Sequence, residues 1–283
     1  MNTTTLIAEN WDDYALLDAG DGQKLERFGT VTVIRPDVMA NGTPVWDMKK
    51  WRNMADSIFR ETANAKGTWE PINKAIPASG WNMRYQNLHF HLKETPHKHI
   101  GIFPEQRANW DFIAQHDLRN KRALNLFAYT GGMSLATRSA GAETTHVDAS
   151  KSAVTWAKEN TALSHLSGIR FIVDDALKFL QREEKRQSQY DCITMDPPAY
   201  GIGPGNTRWQ LEKLLPTLLE QASRVLTQDG LLVLNTYSPK VDTHLLHTLF
   251  TRIFPQRQLQ ISALCLQSST GKTIHTGLVS RLL

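Results

Sequence analysis

Up to about residue 96, apolar positions fall mainly in short alternating runs. FGTVTVIRP (28–36) and NLHFHLKET (87–95) alternate as half-buried strands do. MKKWRNMADSIFRETA (48–63) instead puts Trp51, Met54 and Ile58 at helical spacing, which predicts a helix. Trp11, Trp46, Trp51, Trp69 and Trp81 also fall here, so residues 1–96 read as a small mixed, strand-rich domain.

From about residue 121 the rhythm changes. Short apolar runs at 123–129, 144–148, 169–174, 190–198 and 230–238 read as strands. Helical stretches at 131–142, 150–166, 176–187 and 209–226 lie between them, the last interrupted near Pro216. Strands alternating with helices give an α/β fold, a parallel sheet with both faces covered. The second domain is therefore expected over 97–283. Ligands bind such sheets beyond the carboxyl ends of the strands, at the switch point. Residues 128–132, 148–150, 174–176, 196–200 and 236–239 are accordingly the ones to read for chemistry.

The first of these strands runs into Ala128-Tyr129-Thr130-Gly131-Gly132. Glycines there let the backbone approach a ligand closely, and the following helix N-terminus favours an anion. Asp148 ends the second strand, where an acid can accept from both ribose hydroxyls. Asp175 closes the third, where a carboxylate can take an adenine amine. Each feature alone is also what an ordinary turn or helix N-cap looks like, but their placement at three successive strand ends points to a nucleoside ligand. A nicotinamide dinucleotide is the rival; LFAYTGGMS (126–134) lacks the first glycine of its G-x-G-x-x-G fingerprint.

Asp196-Pro197-Pro198-Ala199-Tyr200 follows the fourth strand. Two prolines fix φ and remove two donors, so Asp196 and Tyr200 are held at a set separation. A planar base can stack on Tyr200 while its amine donates to Asp196 and to a proline carbonyl. The plainer reading is a rigid loop with a capping acid.

Composition and charge narrow the picture further. The chain has 283 residues, 41% of them hydrophobic, and a formal charge of +4. That is a globular composition, with a mild bias toward polyanionic partners. Cys192 and Cys265 are the only cysteines, too few for a secreted disulfide framework. No apolar run is long enough for a membrane span, and MNTTTLIAENWDDY does not read as a signal peptide, so a cytoplasmic protein is expected. His89, His91, His97 and His99 form two H-x-H pairs without a matching ligand set, so no metal site is expected. Arg119, Lys121, Arg122, Lys178, Arg182, Lys185 and Arg186 are candidates for phosphate contacts or for a solvated helix face. Pro204-Gly205-Asn206 is a turn signal in a loop expected over the pocket.

NLFAYTGGMS, HVDAS, VDDAL and DPPAY together resemble class I methyltransferases, and more closely the bacterial large-subunit ribosomal RNA methyltransferase I/K family. HIGIFPEQRANW (99–110) and AVTWAKENTALSHL resemble it too, so the likeness covers roughly residues 85–283. It implies a Rossmann-like sheet and S-adenosylmethionine as cofactor. It also implies that Tyr129, Thr130, Gly131, Asp148 and Asp175 hold that cofactor, with Gln106, Phe127 and Ser150 beside it. Asp196, Pro197, Pro198 and Tyr200 would form the catalytic end, and ribosomal RNA would be the partner. The pseudouridine-synthase-like RNA-binding module of some members is not recognisable in the front domain. Cytosine-5 methylation in such enzymes uses a cysteine, commonly after the fifth strand, and this chain has Asn235-Thr236-Tyr237-Ser238 there. Transfer to a base nitrogen is therefore the expected reaction. A methyltransferase for a protein or small molecule, a silent RNA-binding assembly factor and a nucleotide-dependent oxidoreductase are the alternatives. Oligomeric state is not legible.

Overall fold

The computed structural model describes residues 4–8, 11–62, 66–202 and 208–283. The expected turn at 204–206 lies outside them. The chain divides into two compact units, a smaller one of residues 7–107 with 265–276, and a larger one of 1–6, 108–264 and 277–283. The division differs from a break at 96/97, and the reasons lie in pairing. Strand β1 (Thr4–Ile7) is the edge strand of the larger unit's sheet, with Thr4 Oγ1 2.7 Å from Ser262 Oγ. Residues 265–276 bind within the smaller unit instead. Ser269 N donates to Leu16 O at 2.8 Å and Thr270 Oγ1 to Asp18 Oδ1 at 2.9 Å.

The smaller unit is strand-rich, as expected. Strands β2 (Tyr14–Gly20), β3 (Gln23–Phe28), β4 (Val31–Pro36), β5 (Ser57–Glu61) and β6 (Gly67–Pro71) form one sheet in that order. Strands β7 (Trp81–Tyr85) and β8 (Leu88–Leu92) form a separate hairpin. Two expectations change here. The run 28–36 is not one strand: Phe28 ends β3 and Gly29, at φ +61°, turns the chain into β4. The helix expected over 48–63 is only α1 (Met48–Met54), capped by Asp47. Ala55 leaves it extended, and Ile58 packs from β5 onto Leu25, Ile34 and Trp51.

Alternation puts Leu25 on one face of β3 and Lys24 and Glu26 on the other. That second face is buried and ionic. Glu26 accepts from Tyr14 Oη at 2.9 Å and from Arg35 Nε at 2.7 Å, and Lys24 Nζ lies 3.4 Å away. Burial alone would raise the Glu26 carboxyl, but Arg35 and Lys24 outweigh it and hold it at about 2. Its stabilisation is therefore fully present above the ordinary glutamate range and is lost as pH falls from there through about 2. Glu26→Ala strands Arg35 as a buried charge and leaves Lys24 only its pair with Asp37, and it is expected to cost about 3–5 kcal/mol in urea unfolding at neutral pH. A loss under about 1 kcal/mol would contradict this picture.

The larger unit has the expected parallel core. After the 3-10 turn Pro104–Gln106, helix α2 (Arg107–Ala114) leads to strand β9 (Arg122–Leu126). Then follow α3 (Gly132–Ser139), β10 (Glu143–Asp148), α4 (Lys151–Leu163), β11 (Ile169–Val173), α5 (Ala176–Lys185) and β12 (Tyr190–Met195). The short strands β13 (Tyr200–Ile202) and β14 (Arg208–Gln210) pair antiparallel. Helix α6 (Leu211–Val225), β15 (Leu226–Thr236), α7 (Thr243–Ile253), β16 (Leu259–Gln267) and β17 (Thr273–Leu282) complete the chain. Helix α6 runs unbroken through Pro216, against expectation.

The eight-stranded sheet has the order β1-β16-β17-β15-β12-β9-β10-β11. Strands β10 and β11 lie to one side of β9, and β12 and β15 to the other, all parallel, with β17 antiparallel to β15. Strand order therefore reverses between β9 and β12, and in such sheets the ligand crevice lies at the carboxyl ends of the strands flanking that point. Fully buried Leu215, Leu219, Phe179 and Leu246 from α5, α6 and α7 cover one face.

Candidate active site

Register brings the strand ends to one edge. Leu126 pairs with both Val147 and Met195, and Met195 with Leu234. The next residues in each strand, Phe127, Asp148 and Asp196, therefore emerge side by side, with Asp174 beyond Asp148. That edge is where the sequence placed its candidates.

The loop after β9 is unusual backbone. Phe127, Tyr129 and Gly131 all have positive φ, at 55°, 47° and 92°. Left-handed conformation costs a non-glycine residue about 1–2 kcal/mol, so other contacts must hold the loop. Tyr129 N–H donates to Asp148 Oδ2 at 2.8 Å, and the Thr130 carbonyl accepts from buried Asn160 Nδ2 at 2.9 Å. Ala128 N–H donates to Val147 O at 3.1 Å. Gly131 is held by its φ and leaves little room for a side chain: a Cβ there would sit a tight 3.1 Å from that of Ala157, and one on Gly132 2.8 Å from the Trp110 ring. Gly131→Ala is expected to lose about 1–2 kcal/mol of stability by thermal unfolding; an unchanged melting temperature would contradict the strained loop.

Asp148 takes one backbone donor on each oxygen, Tyr129 N on Oδ2 and Ser150 N on Oδ1, both at 2.8 Å. Each oxygen keeps a further lone pair for a ligand hydroxyl. Burial raises its carboxyl above the ordinary aspartate value, and the two N–H groups only partly offset that. Ser150 caps α4, its Oγ accepting from Ala153 N at 3.3 Å. Asp175 caps α5 through Lys178 N at 3.0 Å. Capping is thus what Asp175 does in the fold, and one oxygen remains for an adenine amine. Gln106 is buried in the smaller unit, on the 3-10 turn.

Beyond β12, Asp196 is half-buried and Pro197 buried, while Pro198 and Tyr200 are exposed. The Asp196 N–H donates to Leu126 O at 3.4 Å, tying this strand end to β9. The Pro198 carbonyl accepts from Trp209 Nε1 at 2.6 Å. That bond uses one of the two lone pairs of the carbonyl and leaves the other open. Trp209 also packs on Phe127, ring centroids 4.8 Å apart. Strand β14 thereby touches the loop after β9.

Sequence reasoning missed three supports. Asn160 signalled itself only as a polar residue on the buried face of α4. Beneath the loop, Ser134 Oγ lies 3.0 Å from His146 Nδ1 and accepts from Asn125 Nδ2, which Thr194 fixes in turn. Burial lowers His146 to about 3, so it is neutral. Lys240 and Glu212 reach Tyr200 Oη, both at 3.3 Å.

Most other candidates fall away from this edge; Arg182, which reaches Asp174 beyond Asp148, is the exception. Arg119, Lys121 and Arg122 stand at the opposite end of β9, and Arg119 and Lys121 pair with Asp117 and Asp191. Arg182 pairs with Asp174 and Arg186 with Glu183. Cys192 is fully buried inside β12, its thiol pushed up to about 12 by burial and by Asp191. Cys265 lies in β16, 3.2 Å from His275 Nδ1. Asn235 and Thr236 belong to β15 itself, and Asn235 Oδ1 accepts from Asn109 Nδ2 at 2.9 Å. Among the described residues, no three His, Cys, Asp or Glu side chains gather as metal ligands.

The sequence pattern of the family described as conserved hypothetical protein 95 matches residues 106–258. Ribosomal RNA large subunit methyltransferase K/L of Pseudoalteromonas atlantica is 36% identical over 144 residues, 50% of this chain and 20% of that protein. The enzyme of the same name from Syntrophotalea carbinolica is 33% identical over 157 residues, 54% of this chain and 22% of that one. The chain thus spans about a fifth of the length of these curated relatives. Among solved structures, a SAM-dependent methyltransferase from Agrobacterium tumefaciens superposes with a TM-score of 0.90 at 35% identity, covering 100% of this chain and 96% of that one. A putative SAM-dependent methyltransferase from Streptococcus mutans shares the fold, with a TM-score of 0.77 at 15% identity over 97% of this chain and 76% of its own. Strand order, the acid-ended strands and a whole-length match to the Agrobacterium protein agree, and the chain belongs to the conserved hypothetical protein 95 family of class I S-adenosylmethionine-dependent methyltransferases.

Proposed function

We propose that this methyltransferase modifies a base of ribosomal RNA, at a nitrogen atom. The observation that carries the reading is the strand end Asp196-Pro197-Pro198 with Tyr200, set by register beside the cofactor loop. Asp148 and the loop after β9 suit the cofactor: a carboxylate with open lone pairs for a ribose diol, and backbone bent around Gly131. In this reading Asp148 holds the ribose, Asp175 the adenine amine, and Tyr129, Thr130 and Gly131 the amino-acid end. Phe127 and Ser150 stand beside them, and the family resemblance adds Gln106. When bound, S-adenosylmethionine supplies an electrophilic methyl group on a sulfonium.

The chain's own task is alignment. A target amine donates one hydrogen to Asp196 and the other to a proline carbonyl beside it, which points the nitrogen lone pair at the methyl group. Tyr200 stacks on the base. The half-buried Asp196 carboxylate favours the positive charge that grows on nitrogen and can take its proton afterwards. If the base lies within a helix it must be flipped out. The names of the curated relatives support ribosomal RNA as the substrate class. The buried Cys192 thiol, held neutral near pH 7, supports nitrogen over a cysteine adduct at carbon. No helix among the described residues is long and apolar enough to cross a membrane. We place the work of the enzyme in the cytoplasm, where its ribosomal RNA substrate would be. We take the larger unit as catalytic and the smaller as accessory.

The test is transfer from methyl-labelled S-adenosylmethionine to unmodified large-subunit ribosomal RNA, with mass spectrometry of the digested nucleosides. An N-methylated nucleoside is expected. 5-Methylcytidine would overturn the nitrogen assignment, and RNA without label would overturn the RNA reading.

A further inference from the structure

Tyr200 is 60% exposed, yet its phenol is held from two sides. It donates to Glu212 Oε1 at 3.3 Å and accepts from Lys240 Nζ at 3.3 Å. Lys240 and Glu212 themselves pair at 3.2 Å, so the three groups close a ring of polar contacts. Gln210 Nε2 braces the same Glu212 oxygen at 2.9 Å. The Glu212 backbone N–H and Gln210 hold this carboxyl at about 2, so it is ionised at neutral pH. The three residues come from β13, the first turn of α6 and the loop after β15, so Lys240 is brought to the other two from a part of the chain distant in sequence.

A surface ion pair adds little to stability, so stability alone does not account for this arrangement. Its physical consequence is loss of rotamer freedom in an exposed ring. An unheld tyrosine must be ordered by its ligand at the ligand's expense, whereas a held one is preorganised. We infer that Lys240 and Glu212 are positioning residues that pin Tyr200 as a fixed stacking platform for the target base. The inference rests on the RNA reading above and adds to it the device that sets where the base lies. Charge neutrality is part of that device. Glu212 turns the Lys240 ammonium toward the phenol, so the ring face stays open to an uncharged base.

The test has two readouts on the whole protein. 3-Fluorotyrosine labelling gives fluorine resonances for the six tyrosines, and Tyr200→Phe assigns that of Tyr200. Lys240→Met and Glu212→Gln are expected to shift and narrow this resonance as the ring gains freedom. In methyl transfer, both variants are expected to raise KM for large-subunit ribosomal RNA about threefold to tenfold, with kcat within about twofold. Lys240→Arg keeps a donor in place and is expected to restore most of the loss, which a general structural role does not require. An unmoved fluorine resonance in both variants would show that the clamp does not hold the ring. A moved resonance with unchanged KM would show that the clamp does not serve base binding. Either result overturns the inference while leaving methylation of RNA intact. Failure of the wild-type protein to methylate RNA removes the reading itself, and the inference with it.

Discussion

Replacing Asp196 by alanine is expected to lower kcat for methyl transfer by about 10²–10⁴-fold, while S-adenosylmethionine binds within about threefold of the wild-type affinity. The split follows from position. Asp196 stands at the end of β12, across the switch point from the acids of β10 and β11, which is why the proposal assigns it to the substrate and not to the nucleoside. Asp196→Asn keeps an acceptor oxygen but loses the charge. It is expected to fall between the two, since orientation survives and charge stabilisation does not. Single-turnover rates with calorimetric cofactor titrations measure both quantities. Near-wild-type turnover in Asp196→Ala would remove Asp196 from the chemistry, and loss of cofactor affinity would move it into the cofactor pocket.

The second large effect is at Asp148. Asp148→Ala removes the carboxylate proposed to take two hydrogen bonds from the ribose, and it frees the Tyr129 and Ser150 N–H groups that shape the loop. Charged hydrogen bonds contribute roughly 1.5–3 kcal/mol each, so loss of two is expected to lower cofactor affinity about 10²–10⁴-fold. The same residue gives a pH signature. Burial raises its carboxyl above the ordinary aspartate value. Affinity should therefore be full above that raised value and decline as pH falls through it, beginning at a higher pH than an exposed aspartate would give. The ligand-free protein shows the opposite sign: the ionised form is disfavoured by folding, so this one group adds stability as pH falls through the same range. Titrations of S-adenosylhomocysteine at stepped pH check the first, with Asp148→Asn expected to flatten the curve. A wild-type affinity independent of acid would contradict the role of Asp148.

The parallel core was legible because β9, β12 and the end of β15 are buried on both faces and read as apolar runs, although β10 is largely polar and β11 half-exposed. The acids that end them stood out because each breaks such a run at its last position. What escaped was polar and buried. Strand β3, QKLERF, reads as a solvated segment because Lys24 and Glu26 face a buried ion network rather than water. The helix expected through Ile58 ended early because Ala55 and Asp56 turn the chain to pair with β4, a tertiary choice that spacing does not encode. The domain border could not be read at residue 96, since β1 and the residues at 265–276 each bind a unit distant in sequence. In the site, Asp148 and the DPPAY segment lie at the edge their strands foretold. Asn160 and Lys240 stayed hidden, because nothing in a single helix or loop announces the loop atom it will hold.

A crystal structure with S-adenosylhomocysteine tests the central assignment most directly. The expected result places the ribose hydroxyls on Asp148, the adenine amine by Asp175 and the thioether sulfur facing Asp196 and Pro197. The contradicting result places the nucleoside elsewhere, for instance in the groove lined by His116, Lys121, Asp191 and Gln228 at the opposite edge of the sheet, with the crevice at the strand ends left empty.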